Sequence, residues 1–67
     1  MIIYKNILEN LDKAGYNTNR IRKEKIFSES TITRIRKNES ISTNTLDKIC
    51  EITGLPLTDI IEYKNNK

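Results

Sequence analysis

The chain has no histidine, one cysteine, one proline and two glycines among its 67 residues. Without histidine, and with a single thiol, none of the usual zinc ligand sets can be assembled. Nucleophile–base pairs that depend on imidazole are excluded for the same reason. Cys50 has no partner for an internal disulfide, in keeping with a reducing compartment. Long apolar runs are also missing. Met1-Ile2-Ile3-Tyr4-Lys5 is too short for a signal peptide or a membrane span, so a cytoplasmic protein without a membrane partner is expected. There is no Gly-rich phosphate loop and no pair of carboxylates set in a plausible pocket, so neither an enzyme nor a cofactor is expected. No repeat or low-complexity tract divides the chain, and residues 1–67 are expected to form one domain with an efficient small core.

What the chain does have is a charge asymmetry. Between Arg20 and Lys37 seven cations (Arg20, Arg22, Lys23, Lys25, Arg34, Arg36, Lys37) face two acids, Glu24 and Glu29, for a local charge of +5. The remaining residues hold five lysines against seven acids, so a net charge of only +3 conceals a concentrated basic segment. Such a segment is the electrostatic footprint of a polyanion binder.

The apolar pattern is helical. Tyr4, Ile7, Leu8 and Leu11 fall at i, i+3, i+4 and i+7, which predicts a first helix from Tyr4 to Ala14 ended by Gly15. Asn17 is a cap for a second helix whose inward residue is Ile21. Ile26 and Phe27 form an apolar turn. Ser28 caps a third helix running to Lys37, with Ile32 and Ile35 inward and Asn38 able to close it in left-handed geometry. At about 100° per residue, Ser30, Thr33, Arg34 and Lys37 point away from those isoleucines. Thr31 is placed in local hydrogen bonding at the helix start. Ser42 caps a fourth helix, Thr43 to Thr53, with Leu46, Ile49, Cys50 and Thr53 inward and Gly54 at its end. Cys50 reads as a small core residue, not a reactive thiol. After Leu55-Pro56-Leu57, a fifth short helix is expected from Thr58 to Tyr63, then a frayed polar tail from Lys64. The expected fold class is all-α, a compact five-helix bundle.

This pattern resembles the phage repressor and Cro type of helix-turn-helix protein, the XRE family of bacterial regulators, over nearly the whole chain. Ile21 fits the core position of that family's second helix, and Ser28-Glu29-Ser30-Thr31-Ile32-Thr33-Arg34-Ile35 fits its recognition-helix signature. Ser42 to Gly54 and the ending Asp59-Ile60-Ile61-Glu62-Tyr63 look like its fourth and fifth helices. Three positions depart from it: Arg22 where the family often has alanine, Ile26 where it often has glycine, and a neutral-to-acidic Asn38-Glu39-Ser40 loop where relatives are often basic. A side chain at Ile26 implies a turn that avoids left-handed geometry there or packs differently.

The resemblance implies sequence-specific binding of double-stranded DNA by a repressor-like transcriptional regulator, with the third helix in the major groove. Carried onto this chain, Glu29, Ser30, Thr33 and Arg34 are the candidate base readers. Thr18, Asn19, Arg20, Arg22, Lys23, Arg36 and Lys37 are the candidate backbone contacts. Arg36 has a competing role, an ion pair with Glu39 or Asp47. A homodimer through the last helix and the termini (Leu57, Ile60, Ile61, Tyr63 and Met1 to Ile3) is expected, with no small-molecule effector. The competing function is a protein-interaction module, an antitoxin or adaptor that keeps the fold.

Overall fold

The computed structural model describes residues 1–65. In chain order these form β1 (Ile2–Tyr4), α1 (Ile7–Lys13), α2 (Thr18–Lys23), α3 (Glu29–Arg36), α4 (Thr43–Thr53), α5 (Leu57–Ile60) and β2 (Ile61–Tyr63). Five helices are present as expected, but the fold is not all-α: β1 and β2 pair antiparallel, with Ile2 opposite Tyr63, Ile3 opposite Glu62 and Tyr4 opposite Ile61.

Three expectations therefore change at the chain ends. The first helix begins at Ile7, not Tyr4, because Asn6 adopts left-handed geometry at φ 52° and breaks the helix there. The last helix stops at Ile60, and Ile61 to Tyr63 are extended. The physical reason is composition: Ile2, Ile3, Tyr4, Ile61 and Tyr63 are β-branched or aromatic, types that favour a half-buried pleated surface once a partner strand is near. The tail is not frayed at its start either. Lys64 donates its N–H to the Met1 carbonyl at 2.8 Å, and the Met1 amino group donates to the Lys64 carbonyl at 2.7 Å. Residues 66 and 67, the rest of the expected tail, lie outside the described residues.

Eight side chains form one buried cluster: Ile7, Leu11, Ile21, Phe27, Ile32, Ile35, Ile49 and Ile60. Every helix contributes at least one. Tyr4, Leu8, Leu46 and Cys50 pack against this cluster while half-buried.

Helix boundaries follow from caps. Asn17, Ser28 and Ser42 each accept from the backbone N–H three residues on, at 2.8, 3.2 and 3.2 Å. Three helices end in the same paired pattern, a left-handed residue whose neighbour's N–H reaches back five residues. Gly15, Lys25 and Asn38 are the left-handed residues, and Tyr16, Ile26 and Glu39 donate to Leu11, Ile21 and Arg34 at 2.8, 3.0 and 2.8 Å. The strained position in the turn between α2 and α3 is thus Lys25, at φ 54°, and Ile26 is spared.

Asn38 has a second task. Its side-chain oxygen accepts from the Tyr4 N–H and its amide donates to the Ile2 carbonyl, both at 2.8 Å. It therefore caps the edge of β1 with the end of α3. Beside it the Tyr4 hydroxyl donates to the Glu39 carbonyl, and partial burial raises the pKa of that phenol above its ordinary value.

Candidate nucleic-acid interface

The core decides which face of α3 is presented. Ile32 and Ile35 are 1% and 6% exposed, which turns the opposite side of this eight-residue helix to solvent. Glu29, Ser30, Thr33 and Arg34, the four candidate base readers, are all exposed on it. Lys37 is exposed just past the helix end. Hydroxyls lie at the start of the face and cations at its end, as the spacing predicts. Ser28 Oγ, besides capping the helix, lies 3.1 Å from Ser30 Oγ and 2.9 Å from Thr31 Oγ1. That cluster gives Thr31 the local hydrogen bonding expected of it.

The candidate backbone contacts do not form one uniform set. Lys23 and Asn19 are exposed, and Thr18 is half-buried. Arg20 is folded back on its own surroundings. Its Nε lies 2.5 Å from Glu24 Oε2, its Nη1 donates to the Gly15 carbonyl at 2.9 Å, and its guanidinium sits 4.2 Å from the centre of the Tyr16 ring. The hydrogen bond to Glu24 raises its pKa further above the ordinary arginine value. Arg22 is also engaged: its Nε lies 2.9 Å from Glu29 Oε1, which joins a candidate backbone contact to a candidate base reader.

Arg36 faces neither of its expected partners. Among the described residues no ion pair joins it to Glu39 or Asp47. Instead it lines an open cleft with Thr18, Asn17, Leu8 and the acids Glu9 and Asp12. The reason is the turn of α3, which aims position 36 toward α1 and the start of α2.

Two side chains that the sequence reading passed over belong near the site. Asn44 and Lys48 line a groove with Ser28 and Thr31, beside the start of α3. The available signal was their spacing of four, which puts both on one face of α4. Among the described residues no group of three histidine, cysteine or acidic side chains is placed to hold a metal. No described helix is long and apolar enough to cross a membrane.

Two short helices joined by a tight turn, the second turning a polar and cationic face outward, make a helix-turn-helix. The chain belongs to the Cro/C1-type helix-turn-helix DNA-binding domain family, whose model matches residues 6–66. That match takes in all five helices and β2 and leaves β1 outside it. Comparison with curated proteins and with solved structures returned no match.

Proposed function

We propose that the chain binds double-stranded DNA in a sequence-specific way and regulates transcription as a repressor does, with α3 laid in the major groove. The exposed outer face of α3, with Thr33 and Arg34 both turned to solvent, carries this reading. Arg34 can grip a guanine through its planar fork at O6 and N7, worth about 1–3 kcal/mol of discrimination. Ser30 and Thr33 donate or accept at base edges, and the Thr33 methyl meets a thymine methyl. Glu29 accepts from a cytosine amino group. Lys23 and Lys37 supply phosphate charge, Thr18 and Asn19 supply neutral donors, and Arg36 reaches the backbone from its cleft. Arg20, held by three contacts, contributes its field more than a direct grip.

A second copy completes the reading. Dimeric binding to a palindromic site would set the two recognition helices about 34 Å apart, one turn of duplex. Of the residues expected at the dimer contact, Ile60 is fully buried and drops out. Met1, Ile2, Leu57 and Tyr63 remain as large apolar side chains with 45–73% exposure, and Ile3 and Ile61 remain half-buried beside them. The same exposed apolar set supports the alternative of an antitoxin or adaptor that docks a different protein there.

Binding measured against rising salt, on a duplex selected from a random library, separates the two readings. The DNA reading predicts affinity that falls steeply, with a slope of about one per phosphate contact. Absent or salt-insensitive binding would favour the adaptor. Ultracentrifugation showing only monomer on and off DNA would remove the dimer.

A further inference from the structure

The ion pairs among the described residues divide into two kinds. Lys13–Glu9 and Arg20–Glu24 join residues four apart within or at the end of a single helix, where such pairs are routine. Arg22–Glu29 instead spans the turn of the motif, tying the last turn of α2 to the first residue of α3. The contact uses Arg22 Nε and Glu29 Oε1 at 2.9 Å, and the glutamate side chain keeps 77% of its exposure. The ion pair thus sits at the leading end of α3 with both side chains open to solvent, Arg22 at 45% and Glu29 at 77% exposure.

We infer that Arg22 is a positioning residue for base readout, not a phosphate anchor. This rests on the DNA-binding reading of the same face. A bare carboxylate in the groove is repelled by phosphates, and its side chain samples several rotamers. The guanidinium offsets that repulsion and holds one rotamer, so Glu29 Oε2 accepts from the exocyclic amine of a cytosine. The charge of Arg22 is spent on Glu29, so its removal bares that carboxylate, which weakens every duplex somewhat and relaxes the choice at one base pair, and both losses require Glu29.

The test is a double-mutant cycle read on DNA. The unsubstituted chain, Arg22→Ala, Glu29→Gln and the double variant are titrated against a selected duplex and its single-base variants. Thermal melts show that each variant folds, and Arg22→Gln repeats the test with a side chain of closer length. Arg22→Ala is expected to lose about three- to fivefold discrimination at a single C·G pair, the same pair that Glu29→Gln affects. In the Glu29→Gln background it should change discrimination by less than about twofold. Equal weakening on every duplex, additive with Glu29→Gln and accompanied by loss of about one unit of salt slope, would make Arg22 a phosphate contact and overturn the inference alone. Absence of duplex binding by the unsubstituted chain would overturn the DNA reading and this inference together.

Discussion

The two ends of this small protein are ordered by different means. Around α2 and α3 the bonds are local: Asn17 and Ser28 cap over three residues, Arg20 meets Glu24 over four, and Ile26 reaches back to Ile21. At the other end the bonds join residues far apart in the chain. Met1 pairs with Lys64, Lys5 donates to the Ile60 carbonyl, and Asn38 grips Ile2 and Tyr4. The first end is polar, cationic and outward-facing, and the second leaves Met1, Ile2 and Tyr63 exposed. Short-range order lets the outer face of α3 be set largely without the strands. Among the described residues the shared core, Asn38 and the bond from the Tyr4 hydroxyl to the Glu39 carbonyl connect the two.

The largest way to break that arrangement is through the core. Ile32 is 1% exposed beneath α3, and Ile32→Ala should cost about 2–5 kcal/mol of stability and loosen both ends together. Urea denaturation measures the loss, and hydrogen exchange shows whether β1 and α3 open as one. Asn38→Ala comes next. It removes two hydrogen bonds and puts a residue less tolerant of φ 58° at the helix end, for about 2–3 kcal/mol in the same denaturation assay. Exchange should rise more at Ile2 to Tyr4 than in α3. An equal rise would mean that the two ends are not separable.

Arg34→Ala touches only the polar end. It should leave the melting temperature within about 2–4 °C, because exposed surface positions contribute little. Discrimination at one base pair should fall by about 1–3 kcal/mol in competition binding. The smallest effect is a gain. Lys25 sits at φ 54°, and among the described residues its side chain makes no hydrogen bond or ion pair, so Lys25→Gly should keep the helix-end bonds and stabilise by up to about 1 kcal/mol in thermal melts, without altering base preference.

This contrast also explains what could be read from the sequence. The caps at Asn17, Ser28 and Ser42, the ends at Gly15, Asn38 and Gly54, and the inward pairs Ile32–Ile35 and Leu46–Ile49 follow from spacings of three and four. All are local and legible. The strands were not. Three residues are too few to show alternation, and Tyr4 stands where a helical stripe through Ile7, Leu8 and Leu11 would put it. Their pairing depends on a partner about sixty residues away. Lys25 was missed because nothing in a lysine marks left-handed geometry. Exposure of Glu29, Ser30, Thr33 and Arg34 was predictable from one helix face, but the pairing of Arg22 with Glu29 depends on how two helices meet across a turn.

Backbone amide NMR maps residue by residue whether the outer face of α3 is the proposed DNA-reading surface. On adding a selected duplex, the largest shifts are expected from Glu29 to Lys37 and at Thr18 to Lys23, weakening as salt rises. Shifts confined to Met1–Tyr4 and Ile61–Tyr63, with α3 unchanged, would contradict that proposal.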